Sequence, residues 1–394
     1  MRSATIAIVV LVAACPSGSA EAFGSHRLVL TIGPGAPFTA SSGRWSLVGG
    51  SAAPPACGGG MTYDVADSFV FLYTSGSAAT HGPSGACTGP PTVWSYSHGV
   101  WAPLPGSNAP PARLGPAIAY DALDGYVLLF GGIDPNGRYL GDTWGYHGGA
   151  WTNLTSGVSP PARDDAAIAY SDADHAVVLY GGFGVRPAGA PAPLSDTWEY
   201  HAGVWSAQSP SSAPPVRDRA PMTYDAPAST TILFGGTDDA FASGCCVPRS
   251  ETWGFASGTW TNLTTQSSPV PRLSPGIAFD PAASAVILFG GASPSFLADT
   301  WAYAGGVWTP VITGSGPSSR AEPLLAYDVV DGYVLLFGGA GATPTNDSWA
   351  FGPGSSAPGR SDGSTLVWIA GVGGATVGIV AAWWRLRPTP RRPA

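Results

Sequence analysis

The chain contains no lysine, and all 17 of its basic residues are arginine. That composition reflects a GC-rich coding sequence and carries no functional content. Charge of both signs is sparse, 11% of 394 residues. Arg2 and Glu21 belong to the N-terminal end, and Arg385, Arg387, Arg391 and Arg392 to the C-terminal end. Between them 12 arginines face 24 acidic residues, a net charge of −12. Nucleic-acid binding is driven by basic side chains neutralising phosphates, so this balance argues against a nucleic-acid partner. Only six histidines are present, scattered, and no Ser/His/Asp arrangement can be assembled. Long apolar runs are confined to the two ends.

The interior is rich in punctuation, with 55 glycines and 39 prolines, and in 15 tryptophans. Aromatics at that density argue against disorder. The stretch Pro111 to Thr152 shows the organisation. It holds four strand-length apolar runs: Ala117 to Tyr120, Tyr126 to Phe130 closed by Gly131-Gly132, Thr143 to Tyr146, and a fourth starting at Trp151. Short β-rich runs bounded by Gly, Pro, Asn and Asp read as antiparallel strands.

The unit recurs six times. First-run aromatics are Tyr63, Tyr120, Tyr170, Tyr224, Phe279 and Tyr327. Third-run tryptophans are Trp94, Trp144, Trp198, Trp253, Trp301 and Trp349, spaced 50, 54, 55, 48 and 48 residues apart. Fourth-run tryptophans are Trp101, Trp151, Trp205, Trp260 and Trp308. The sixth unit stops at Phe351 without a fourth run. A spare one, Gly43 to Val48 around Trp45, stands ahead of the first unit and can pair with the strand ending at Phe351. A further run, Leu28 to Ile32, is strand-like and has no place in the repeat.

Repeats of about 50 residues with four strands, a double glycine and paired aromatics resemble the kelch repeat. The residues carrying the resemblance are Gly131-Gly132, Gly181-Gly182, Gly235-Gly236, Gly290-Gly291 and Gly338-Gly339, each followed by a W-x-Y/F and, in all but the last, by a further Trp. In the first unit Thr74-Ser75 replace the glycines. The resemblance implies an all-β, six-bladed kelch-type β-propeller over residues 23–351, closed by the N-terminal strand. Ring closure leaves only short, protected edges. Each buried Trp would contribute up to about 4–6 kcal/mol, from roughly 150–250 Å² of burial at about 25 cal/mol/Å². Some kelch propellers are copper radical oxidases, but their Tyr, His and cross-linked Cys set has no counterpart here. The Asp-box of sialidases is also missing. No cofactor, metal or catalytic constellation is expected.

Residues 1–22 read as a secretory signal peptide, with Arg2, an apolar core from Ile6 to Ala14, and Ala20-Glu21-Ala22 as cleavage site. Val12 to Cys15 also resembles a lipoprotein box with Cys15 as the acylated residue. Residues 352–364 form a Gly/Ser/Pro linker. Residues 365–384 carry no charge over 20 positions, enough for a transmembrane helix. Trp383 and Trp384 stand at its interface, and the arginine-rich tail 385–394 points to the cytoplasm. The expected arrangement is a propeller outside the cell on a single-pass anchor.

Cys57, Cys87, Cys245 and Cys246 lie in a mature chain destined for an oxidising compartment. Cys57 and Cys87 fall on loops of the same face in the first unit and are expected to bridge. The adjacent Cys245-Cys246 leave vicinal, free-thiol and intermolecular states open. Arg113, Arg163, Arg217, Arg272 and Arg320 precede the first runs, and Asp142, Asp196, Glu251, Asp299 and Asp347 open the third runs. Recurrent charges of this kind bridge loops of the scaffold; the alternative is an arginine ring holding an anion at a channel mouth. Asp121, Asp225, Asp280 and Asp328 read as turn formers, as does Asp134-Pro135-Asn136-Gly137. Asn153, Asn262 and Asn346 open glycosylation sequons.

Variable loops on a rigid frame are where recognition resides. Residues 133–141, 183–195, 237–250 and 292–298 are such loops. They point to a recognition module for a protein or glycan at the cell surface, with an extracellular enzyme acting on sugars or a structural envelope protein as alternatives.

Overall fold

The computed structural model describes residues 6–7, 29–30, 43–49, 53–55, 58–76, 90–185, 189–238, 247–342 and 345–353. Its body is all-β, with six four-stranded antiparallel sheets and no helix among the described residues. Sheet 1 runs Gly59–Asp64, Phe69–Thr74, Thr92–Ser97, Val100–Leu104. Sheet 2 runs Ala117–Asp121, Tyr126–Phe130, Thr143–His147, Ala150–Asn153. Sheet 3 runs Ala167–Ser171, Ala176–Tyr180, Thr197–His201, Val204–Gln208. Sheet 4 runs Met222–Asp225, Thr230–Phe234, Thr252–Ala256, Thr259–Asn262. Sheet 5 runs Gly276–Asp280, Ala285–Phe289, Thr300–Ala304, Val307–Val311. Sheet 6 takes three consecutive strands, Leu324–Asp328, Tyr333–Phe337 and Ser348–Pro353. Its fourth is Gly43–Val48, paired antiparallel with Ser348–Pro353 so that Trp45 stands opposite Phe351.

Second strands such as Tyr126–Phe130 are apolar without alternation because both of their faces are covered. Val127, Leu128, Leu129 and Phe130 are all buried, and they divide between two cores. One core lies between sheets 1 and 2, where Phe71 and Val93 meet Val127 and Leu129. Others follow between each later pair of consecutive sheets. A sixth joins Leu72 and Trp101 of sheet 1 to Leu335 and Phe337 of sheet 6.

The fourth-strand tryptophans tie neighbouring sheets together. The indole N–H of Trp205 donates to the Thr143 hydroxyl of the preceding sheet at 2.9 Å, Trp260 to Thr197 at 2.9 Å and Trp308 to Thr252 at 2.8 Å. Trp45 donates to Thr300 at 2.9 Å and Trp101 to Ser348 at 2.8 Å. A buried indole N–H needs an acceptor, and the small hydroxyl opening each third strand supplies it. Trp151 breaks the series: its buried N–H has no acceptor. Its neighbour is sheet 1, where the position equivalent to Thr143 is Val93, whose side chain packs in the same core as Trp151 and has no hydroxyl to offer.

The double glycines serve the same junctions. Gly131 and Gly132 hold φ of +65° and +104°, and a Cβ on Gly131 would lie 2.4 Å from the carbonyl oxygen of Arg163. That approach lets the Gly132 N–H donate to Arg163 O of the next sheet at 2.8 Å, as Gly182 does to Arg217 O at 2.9 Å. A left-handed backbone and a close backbone contact are both met by glycine.

Residues 1–5 and 8–22 of the leader, residues 354–364, the span 365–384, the tail, Cys15 and all four cysteines Cys57, Cys87, Cys245 and Cys246 lie outside the described residues. Gly352 and Pro353, expected in the linker, instead finish the strand Ser348–Pro353 because they pair with Arg44 and Gly43. Within the run Leu28 to Ile32, Val29–Leu30 is a strand paired with Ile6–Ala7. Among the described residues no helix is long and apolar enough to cross a membrane.

Candidate functional site

The repeated arginines and carboxylates meet within single sheets. Arg113 reaches Asp142 with both terminal nitrogens, Nη1 to Oδ1 at 2.6 Å and Nη2 to Oδ2 at 2.9 Å. Its Nη1 also donates to Gly131 O at 2.9 Å and its Nε to Pro111 O at 3.1 Å. The far oxygen of Asp142 accepts the indole N–H of Trp144. The same arrangement joins Arg163 to Asp196 and Trp198, Arg272 to Asp299 and Trp301, and Arg320 to Asp347 and Trp349. All five arginines, Arg217 included, are fully buried. Burial raises the energy of each carboxylate. The arginine hydrogen bonds outweigh it, so Asp142, Asp196, Asp299 and Asp347 ionise below the usual range. Four of the five N–H donors of Arg113 are engaged in this way and the side chain is fully buried, so the guanidinium braces loops and has little to offer a ligand.

Sheet 4 departs from the pattern. Glu251 is one methylene longer than Asp, and its nearest approach to Arg217 is 3.6 Å. Arg217 Nη2, Glu251 Oε2 and the Trp253 indole N–H are buried without hydrogen bonds.

Two residues beyond each arginine the chain turns into the first strand, and the backbones of successive sheets join there. Asp165 N donates to Gly115 O at 3.0 Å, Arg219 N to Asp165 O at 3.1 Å, Ser274 N to Arg219 O at 2.9 Å and Glu322 N to Ser274 O at 2.8 Å. Asp165, Arg219, Ser274 and Glu322 all hold φ between +48° and +55°. This belt surrounds one end of a cavity of about 330 Å³ lined from all six sheets. Asp164, Asp165, Arg219 and Glu322 stand at its mouth. Deeper, Met61, Ile118, Ile168, Met222, Ile277 and Leu325 form an apolar collar shared with a second cavity beyond.

The mouth is electrostatically crowded. Arg219 Nε lies 3.4 Å from Asp165 Oδ2 and 3.8 Å from Asp218 Oδ2. Desolvation, then Asp165 and Asp218, push the Asp164 carboxyl up, with Arg219 opposing. Glu322 lines the cavity and is exposed there, with protein packed around its carboxyl. Desolvation and then Asp165 push it up to about 7. Desolvation and the same carboxylates push the phenol of Tyr139, from the neighbouring loop, up to about 12. No His/Cys/Asp/Glu group suited to a metal ion occurs among the described residues.

The mouth residues were not singled out by the sequence, although a signal existed. Five of the six repeats fix an arginine, yet the position two residues later varies through Gly115, Asp165, Arg219, Ser274 and Glu322. A variable polar residue locked to an invariant brace marks a position held in place but not needed by the frame.

The turn-forming aspartates cap the first strands. Asp121 Oδ1 accepts the N–H of Leu123 and Asp124, and Asp280 and Asp328 repeat this; Asp225 accepts from Ala228 at 3.4 Å. Asp134 accepts from Asn136 and Arg138, closing its turn. The sequon threonines Thr155 and Thr264 accept the N–H of Thr143 and Thr252 at 3.0 and 3.1 Å, pinning the fourth strand to the third. Scaffold geometry therefore accounts for the repetition of Asn-Leu-Thr.

No protein-family model matches the chain, and no curated protein matches it.

Proposed function

We propose that the six sheets are blades of a kelch-type β-propeller, closed by Gly43–Val48, which acts as a recognition module for a protein or glycan. Six interfaces between six sheets support closure, since an open row would have five. The leader and the uncharged span 365–384 support a propeller held outside the cell on a single-pass anchor, with the tail in the cytoplasm.

The observation that carries the binding reading is the polar mouth on the loop face. There Asp164, Asp165, Arg219 and Glu322 converge on a cavity of about 330 Å³. A rigid frame holding variable loops and a few convergent polar groups is the usual form of a recognition site. The test is a glycan array and a surface-protein binding screen with the purified chain, repeated with Arg219→Gln and Glu322→Gln. Loss of a hit in these variants, at unchanged melting temperature, supports the reading; hits indifferent to both overturn it.

One observation favours an extracellular sugar-processing enzyme instead. Asp164 and Glu322 are carboxyls pushed up into the range where a proton can be given and taken near neutrality. Hydrolysis of any oligosaccharide on the array, abolished by Asp164→Asn, would favour that enzyme.

A further inference from the structure

The opposite end of the axial cavity has a different chemistry. The residue before the last of each first strand is aromatic, and Tyr63, Tyr120, Tyr170, Tyr224, Phe279 and Tyr327 all line a space of about 330 Å³ beyond the apolar collar. Each of these rings is half-buried. The remaining lining is small, chiefly Thr62, Ala119, Ala169, Thr223, Ala278 and Ala326. It holds no carboxylate, amide or guanidinium, so a ligand here finds aromatic walls and a few hydroxyls.

Around this aromatic mouth the turns joining first to second strands carry ten aspartates and no arginine; His175 is their one basic side chain. Those aspartates act on the rings. After desolvation, Asp121, Asp172 and Asp124 push the Tyr170 phenol up to about 12, and Asp280 and Asp328 do the same to Tyr327. Negative potential therefore reaches the mouth from several sides.

Aromatic walls alone would accept any apolar ring or alkyl group. The acidic surround excludes anions, and a neutral sugar would lack the directional amide and charged partners that fix its hydroxyls. A cation without hydrogen-bond donors meets neither obstacle, because ring faces attract it and carboxylates at a distance stabilise it without direct pairing. We infer that this mouth binds a quaternary ammonium group, seated among the six aromatic rings and held by the field of the surrounding aspartates. This site lies on the other face of the sheets from the polar mouth and does not depend on the recognition reading given there.

The test titrates the full chain, in a maltoside detergent, with tetramethylammonium chloride and with neopentyl alcohol as its neutral isostere, followed by saturation-transfer NMR. Saturable binding of the cation, about tenfold tighter than the alcohol, is expected for cation–π recognition. Tyr170→Leu should weaken it several-fold and Tyr170→Phe should retain it, since the ring and not the hydroxyl attracts the cation. Asp172 is exposed, so Asp172→Asn leaves packing intact; it should weaken binding at low salt and lose that effect at high salt. Choline and glycerophosphocholine then separate two sources of the same group. Tighter choline assigns a free ammonium ligand, and equal or tighter glycerophosphocholine assigns a lipid head group. Equal affinity for cation and alcohol, no binding of either, or binding unchanged in Tyr170→Leu would each overturn the inference.

Discussion

The indole N–H of Trp101 donates to the hydroxyl of Ser348 at 2.8 Å, joining residues 247 positions apart in the chain. Trp151 occupies the equivalent place in the next sheet with no acceptor for its N–H. The pair separates a hydrogen bond from the packing around it. Trp101→Phe should cost about 1 kcal/mol more than Trp151→Phe, the net worth of one buried hydrogen bond. Urea denaturation of the two variants measures the difference, and equal losses would remove the tryptophan link as a contributor.

Trp45 anchors the strand that precedes the repeats. It packs against Phe289 of sheet 5 at 5.3 Å and Phe351 of sheet 6 at 5.0 Å between ring centroids, and donates to Thr300. Trp45→Ala should cost about 3–5 kcal/mol, the range for removing a large buried aromatic. A loss below about 1 kcal/mol would mean that Gly43–Val48 is dispensable to sheet 6.

The arginine braces are unequal, which gives an internal comparison. Arg163→Ala leaves Asp196 without its bidentate partner and should cost about 3–5 kcal/mol. Arg217→Ala should cost less, because Arg217 and Glu251 approach only to 3.6 Å. Glu251→Asp restores the shorter side chain that the other four braces use and should raise stability by about 1 kcal/mol. A melting temperature lowered by Glu251→Asp would show that sheet 4 is built around the longer acid.

Stability should fall from pH 5 to pH 8. Glu322 is pushed up to about 7 from an ordinary 4.5, so across that window the folded state holds a proton that the unfolded chain has released. Stability then decreases as pH rises. Asp164, Asp328 and Asp280 are shifted up as well and act with the same sign. The arginine-paired Asp142, Asp196, Asp299 and Asp347 are shifted down, so their contribution is present above the ordinary carboxylate range and is lost only as acid protonates them. The two sets together place maximal stability at about pH 4–5. Thermal melts across pH 4 to 8 test this, and Glu322→Gln should flatten the decline; a melting temperature that rises toward pH 8 would contradict it.

Much of the frame was legible in advance. Strand runs such as Tyr126 to Phe130 are short, apolar and closed by glycine, so local composition sets them. The orphan run around Trp45 stood out because a missing strand at one end matched a spare one at the other. The mouth residues Asp165, Arg219 and Glu322 were not legible. Nothing local distinguishes them from solvent-facing loop residues, and their importance arises from the belt that gathers them.

The order of residues along the chain determined the repeat, the strand runs, the double glycines and the tryptophan at each fourth strand. These depend on side-chain chemistry within about ten positions of one another. Tertiary structure alone decided which hydroxyl each indole reaches, which arginine is tightly braced, and that of two cavities lined from all six sheets one opens on polar residues while the other is walled by aromatics. Those outcomes need contacts between sheets, and residues about fifty positions apart become neighbours only when the sheets pack face to face.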